Sequence, residues 1–154
     1  MIQSLFQLFL LRMSAIFFKT KIIDNKKLVF DPIRKKYIVL TPEENVRQNI
    51  LAYLVEHKNY PINNIAVEKQ IKVSGKNRRF DIVIYDKEFV PIVLIECKQP
   101  EVQLTQKTME QATMYNLTLK VPYLIITNGN QHFVVRVNLE SGEYEFLQEV
   151  PILF

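Results

Sequence analysis

The stretch Ile92-Val93-Leu94-Ile95-Glu96-Cys97-Lys98-Gln99-Pro100 constrains this chain more than any other. Its β-branched and apolar run reads as a buried strand. The strand ends in a carboxylate, a thiol and an ammonium, and Pro100 closes it. Side chains alternate along a strand, so Glu96 and Lys98 point one way and Cys97 the other. A charge at the end of a buried strand is costly unless it is paired or bound to metal. Glu96 and Lys98 therefore need a reason to be there.

Upstream, Arg78-Arg79-Phe80-Asp81-Ile82-Val83-Ile84-Tyr85 also alternates as a strand, and it puts Phe80, Ile82 and Ile84 on the face opposite Asp81. Asp86-Lys87-Glu88 is a polar turn, so the two strands form an antiparallel hairpin. Hairpin pairing brings Asp81, at the start of the first strand, beside Glu96, at the end of the second. Two carboxylates and a lysine at one sheet end suit a hard divalent ion with a cationic partner. They equally suit a plain ion pair between Lys98 and one acid. The residues alone leave both readings open.

Composition narrows the classes. At 154 residues, with 48% hydrophobic and 23% charged content, the chain reads as one soluble globular domain with a sizeable core. A net charge of +4 favours an anionic partner. A single cysteine excludes an internal disulfide, and one cysteine with two histidines excludes a structural zinc site. Cys97 is expected in the core rather than as a nucleophile. His57 and His132 show no triad partners in the sequence. Met1 to Phe18 is apolar but interrupted by Gln3, Gln7 and Arg12. It is too short and broken for a membrane span, and it lacks the basic start and cleavage site of a signal peptide. Met13 is a plausible true start. Residues 1–27 are set aside as an extension without assigned function, residues 28–154 are taken as the domain, and a cytoplasmic location without membrane is expected.

The remaining elements follow in order. Leu28 to Leu40 reads as two short strands around a turn carrying Arg34, Lys35 and Lys36, a run that fits a solvated tip or a phosphate contact. Thr41-Pro42-Glu43-Glu44 starts a helix, with Thr41 as cap, Pro42 in the first turn and Glu44 completing a capping box. Val46, Ile50, Leu51, Leu54 and Val55 give that helix an apolar stripe to about His57. Glu44, Arg47, Gln48 and Leu51 share one side. Ile65 to Val73 is a strand, and Ser74-Gly75-Lys76-Asn77 turns into the Asp81 strand. Leu104 to Leu119 is a helix with Leu104, Met109, Ala112, Leu117 and Leu119 as core candidates and Thr108, Gln111 and Tyr115 as a polar stripe. Val121 to Thr127, Phe133 to Val137 and Tyr144 to Leu147 are strands. The helix between the Glu96 and Leu124 strands is a crossover that makes them parallel. The result is an α/β (α+β) domain: a mixed sheet beginning as an antiparallel meander, flanked by helices.

This set of residues resembles the PD-(D/E)XK nuclease superfamily: an acid in a first helix, Asp81 on the middle strand of a meander, and Glu96-x-Lys98 ending the next. Gln111-x-x-x-Tyr115 is similar to the QxxxY motif of the branch that includes the N-terminal nuclease domain of type I restriction enzyme R subunits. Further echoes are Phe30 to Tyr37, Thr41 to Glu44, Val93 to Lys98 and Val121 to Gly129, so the resemblance spans about residues 28–137. Phe80 stands where the name-giving proline would precede Asp81, and no Walker loop or helicase motif is found in the sequence.

The resemblance implies a restriction-endonuclease-like fold and a Mg²⁺-dependent DNA endonuclease, with Mn²⁺ able to substitute. It implies that Asp81 and Glu96 hold the metal, with the Cys97 carbonyl able to add a third oxygen. Lys98 takes the catalytic lysine position, Glu44 the helix acid, and Gln111 and Tyr115 positions beside the site. Arg78, Arg79, Lys76 and Lys72 approach the same sheet end and are candidates to guide the DNA backbone, or are simply solvated. The expected partners are DNA and motor or specificity subunits on other chains. The competing class is a nuclease-like module that grips nucleic acid or a partner protein without cutting.

Overall fold

A computed structural model describes residues 16–73 and 75–154, except the side chains of residues 73, 76, 114, 115, 117, 118 and 119. The expectations for residues 1–15 (Met13 among them), for Ser74, and for the side chains of Lys76, Tyr115, Leu117 and Leu119 lie outside this description. A small antiparallel sheet comes first, made of β1 (Thr20–Ile23), β2 (Lys26–Asp31) and β3 (Lys36–Val39). Helix α1 (Pro42–Glu56) follows, then a single 3-10 turn (Ile62–Asn64) and strands β4 (Ile65–Val73), β5 (Lys76–Tyr85) and β6 (Pro91–Cys97). Helix α2 (Gln106–Leu119) leads into β7 (Tyr123–Thr127), β8 (His132–Val137) and β9 (Tyr144–Phe146). The main sheet has the order β4-β5-β6-β7-β8-β9, in which β6 and β7 are parallel and the other pairs antiparallel. The meander and the crossover are as the sequence implies. Strand β1 lies in the stretch left without assignment.

Two apolar clusters hold the helices against opposite faces of this sheet. Val46, Ile50, Leu51 and Leu54 of α1 pack with Ile82, Ile84, Val93, Ile95 and Cys97. Met109 and Ala112 of α2 pack with Val83, Leu94, Leu124 and Ile126. Each fully buried aliphatic side chain contributes roughly 1.5–3 kcal/mol, so these clusters dominate the stability of the domain. Among the described residues, no helix is long and apolar enough to cross a membrane.

One expectation about faces is corrected. Val67 pairs with Ile82 and Lys69 with Phe80, but Glu68 and Asp81 between them are unpaired. Glu68 adopts φ 54°, a left-handed conformation uncommon outside glycine. The faces exchange at this point: Val67 and Ile82 pack with the α1 cluster, while Ile71 and Phe80 pack with the α2 cluster. Phe80 is thus not on the face of Ile82 and Ile84. Simple alternation fails because both strands turn over at the same step.

The loop after β7 docks at the same end of the sheet as Lys98, whose backbone N–H bonds the Thr127 carbonyl at 2.8 Å. Gly129 has φ +86°, and a Cβ there would sit 3.2 Å from Val46 Cγ2. Gly129→Ala combines a left-handed backbone with this contact, so it should cost about 1–2 kcal/mol in chemical denaturation. In the same loop, Thr127 Oγ1 accepts the Gly129 N–H at 3.0 Å and pairs with His132 Nδ1 at 2.7 Å. Burial pushes the His132 pKa down from 6.5 to about 4. The unfolded chain therefore binds this proton first, and stability falls as pH drops from 6.5 towards 4. The His132 share of that fall should approach one proton, ~1.4 kcal/mol per pH unit, and His132→Gln should remove it from urea titrations across this window.

Candidate active site

The ladder between β5 and β6 ends at Ile82–Ile95, so Asp81 and Glu96 are the next residues on adjoining strands. Pairing does not continue through the backbone. Instead Asp81 Oδ2 accepts the Cys97 N–H at 2.7 Å. Asp81 Oδ1 accepts from Arg47 Nη2 of α1 at 2.6 Å. Glu96 Oε1 pairs with Lys98 Nζ at 2.8 Å. Burial raises the Glu96 pKa, the Asp81 and Glu43 carboxylates add to the rise, and Lys98 opposes it. Burial works against the Lys98 ammonium, but Glu96, Asp81 and Glu43 outweigh it and hold its pKa above the usual value. Lys98 is thus held as a cation at neutral pH. Cys97 is buried in the core, with its thiol pKa pushed up by burial and by Asp81.

Glu96 and Lys98 open onto a cleft of about 240 Å³ with Arg78, Arg79, Phe80, Thr108, Gln111 and Asn116 on its walls. Thr105 fixes the entry of α2, since its side chain and that of Thr108 cap each other's backbone N–H groups. The structure therefore brings together Glu96, Lys98, Gln111, Arg78 and Arg79; Asp81 stands next to Glu96 on the adjoining strand, but its side chain is held by Arg47 and is not part of the cleft wall. Lys72 is exposed on β4 opposite Asn77, towards the hairpin tip, and is not part of the cleft wall. Turning over at Asp81 is what brings Phe80, and Arg78 two residues before it, onto the side of α2, while the Arg79 guanidinium lies 3.7 Å from Glu68.

The helix acid differs from expectation. Thr41 Oγ1 accepts the Glu44 N–H at 3.1 Å, which is one half of a capping box. The other half does not form, because the Glu44 carboxylate is buried among Arg34, Arg47 and Gln48, and it does not hold Lys98. Glu43, rather than Glu44, is the acid of α1 that remains half-exposed, 3.4 Å from the Arg47 Nη2 that holds Asp81. Arg34 also departs from the reading of a solvated tip. Its side chain is 10% exposed, with Nε on Asp31 at 2.7 Å, Nη1 on Glu68 at 2.9 Å and Nη2 on Glu44.

Asp31 is fully buried and caps the turn between β2 and β3. Its Oδ1 accepts the N–H groups of Ile33 at 2.8 Å and Arg34 at 2.7 Å, and its Oδ2 accepts Gln48 Nε2 at 2.9 Å. The network of Asp31, Arg34, Glu44, Arg47, Gln48, Glu68 and Asp81 escaped sequence reasoning, apart from the shared helix side of Glu44, Arg47 and Gln48. A signal existed in Asp31-Pro32-Ile33-Arg34, since an aspartate two residues before a turn amide is a capping pattern. Nothing in the spacing revealed that Arg34 would fold back.

Carboxylates are the donor type that a hard divalent cation takes. Asp81 and Glu96 offer carboxylate oxygens on adjoining strands, and each Asp81 oxygen keeps a lone pair beyond the bond it already accepts. Carboxylates also outnumber guanidiniums in the buried part of the network: Asp31, Glu44 and Asp81 stand against Arg34 and Arg47. A cation would offset that excess. Among the described residues, no three His, Cys, Asp or Glu side chains already stand at ligand spacing.

Comparison with known proteins agrees with this fold. No curated protein matches the chain. Among solved structures it is similar to a fragment assigned to the HsdR subunit of a type I restriction enzyme from Vibrio vulnificus YJ016. The TM-score is 0.52 at 21% identity, which bears on the fold alone. The match covers 73% of this chain and 24% of that one, so this chain spans about a quarter of the length of its structural relative. A family model described as the type I restriction enzyme R protein N terminus (HSDR_N) matches residues 42–151, which include α1, the whole main sheet and every cleft residue named above. The chain belongs to the family of type I restriction enzyme R protein N-terminal domains.

Proposed function

We propose that this chain is a metal-dependent DNA endonuclease domain of type I restriction R-subunit character, hydrolysing phosphodiester bonds. The observation that supports the reading is that Asp81 and Glu96 are neighbours on adjoining strands at one rim of the sheet, where Glu96 and Lys98 open onto a cleft walled by Gln111, Arg78 and Arg79. Asp81 and Glu96 would hold Mg²⁺ or Mn²⁺, joined by the Cys97 carbonyl. When bound, the ion offsets negative charge on the phosphate and makes water a better nucleophile at neutral pH. Lys98 orients the attacking water or helps deprotonate it, or stabilises the charge that develops on the phosphate oxygens. Gln111 donates to substrate or water from the opposite wall. Tyr115 belongs to the same proposal by its place on α2, four residues on. Glu44 acts behind the site through Arg47, as an anchor for Asp81. Arg78 and Arg79 contact DNA phosphates, with Lys72 and Lys76 further along the same hairpin. Motor and specificity subunits on other chains would supply translocation and sequence choice, and the setting is cytoplasmic.

One observation favours a second reading, a module that binds nucleic acid or a partner protein without cutting. Both Asp81 oxygens already accept hydrogen bonds from the protein. Plasmid nicking with Mg²⁺ or Mn²⁺ decides between the two. The wild-type chain should nick, and Lys98→Ala, verified as folded, should lose about 10²–10³-fold in rate. Equal behaviour of the two proteins would favour the binding module, and RNA digested in parallel tests the substrate class. A phosphate contact by Arg78 or Arg79 has its own signature. Arg78→Gln and Arg79→Gln should each weaken binding to all DNA sequences alike and reduce the slope of log K against log salt by about one.

A further inference from the structure

We propose that Arg34 is a positioning residue for Asp81, so that the small sheet β1–β3 completes the site although it precedes the residues matched by the family. The claim concerns where Asp81 is held. Its bearing on cleavage rests on the function proposed above.

Two routes lead from Arg34 to Asp81. The first runs along α1: Arg34 Nη2 bonds one Glu44 oxygen, Arg47 Nη1 bonds the other, and Arg47 Nη2 holds Asp81 Oδ1 at 2.6 Å. The second runs through Glu68, which Arg34 Nη1 holds at 2.9 Å. Glu68 is the residue that falls opposite Asp81 where the β4–β5 ladder breaks, and it carries the left-handed φ of 54°. One guanidinium therefore fixes both the partner of Arg47 and the strand position across from Asp81. The base of Arg34 is itself fixed, since Asp31 binds its backbone N–H and its Nε.

Arg47 Nε and Gln48 Oε1 are buried without a hydrogen-bond partner among the described residues. Leaving buried polar atoms unpaired opposes folding, and buried ion pairs are weak stabilisers compared with apolar packing. An arrangement that tolerates both fits selection for geometry. Its outlet is Asp81, which alone in the network also bonds the Glu96–Lys98 strand, through the Cys97 N–H.

That last bond supplies a readout independent of cleavage. Amide hydrogen exchange at Cys97 reports whether Asp81 Oδ2 stays in place, and exchange at Ile125 and Val134, central in the sheet, reports global opening. Arg34→Gln should speed Cys97 exchange by about tenfold or more beyond whatever acceleration Ile125 and Val134 share from the loss of global stability. Arg34→Lys keeps the charge but not the planar fork, and should give an intermediate acceleration. In single-turnover cleavage, both variants should lose rate while affinity for DNA holds. Unchanged Cys97 exchange would overturn the proposal, as would acceleration equal to that at Ile125 and Val134. Failure of both variants to fold would also overturn it, by making Arg34 a builder of the fold. If the wild-type chain cuts nothing, the function proposed above fails while the exchange result still decides the role of Arg34.

Discussion

The Arg47 guanidinium is the interaction on which the rest of the site depends. It lies 6% exposed between α1 and the rim of the sheet, joined to Glu44 and Asp81 and near Glu43. Burial works against its charge, but Asp81 and Glu44 outweigh that effect and hold the pKa above the usual value. Removing one partner from such a buried set strands the others, which typically costs about 3–5 kcal/mol. The placement of Asp81 is therefore tied to the folding of the domain. Helix α1 in turn is fixed by the apolar stripe of Val46, Ile50, Leu51 and Leu54. Core packing on one side of the helix thus sets the position of a carboxylate at the sheet edge.

The turnover at Glu68 and Asp81 gives this carboxylate its two-sided reach. Along an unbroken strand, Asp81 would face α2 with Val83 and could not meet Arg47 on α1. At the break it bonds the helix on one face and the backbone of the neighbouring strand. The same break carries Phe80 across to the α2 side, where it walls the cleft with Arg78 and Arg79. The local loss of the Glu68–Asp81 pairing therefore both anchors the acid and carries Phe80 to the cleft.

Much of this was legible in the sequence, for identifiable reasons. The strands around Ile82 and Leu94 are bounded by polar turns, and α1 carries a cap, a proline and a periodic stripe, so local chemistry fixed their type and order. Hairpin geometry then placed Asp81 beside Glu96. What escaped depended on contacts between residues far apart in the chain. Arg34 in a run of cations reads as solvent-facing, and only the fold brings Glu44 and Glu68 to it. Glu44 fits the spacing of a capping box, but two guanidiniums compete for its carboxylate more strongly than a backbone N–H does. The face of Phe80 was missed because alternation assumes an uninterrupted ladder, and the left-handed Glu68 leaves no composition signal.

The two ion pairs at the rim differ in a way that bears on the proposed chemistry. Arg47 and Asp81 are 6% and 17% exposed, whereas Lys98 and Glu96 are 33% and 38% exposed. A buried bidentate-capable guanidinium exchanges partners slowly and at high cost, while a partly solvated ammonium on a flexible stem exchanges readily. Asp81 is thus the fixed half of the candidate site, and Glu96 and Lys98 are the half that can be recruited. Burial, together with the Asp81 and Glu43 charges, makes the ionised Glu96 poorly accommodated without a cation beside it. Lys98 supplies that cation within the protein itself. On the proposed reading, Glu96 would hold the divalent ion with Asp81, and the Lys98 ammonium would face the phosphate across the cleft.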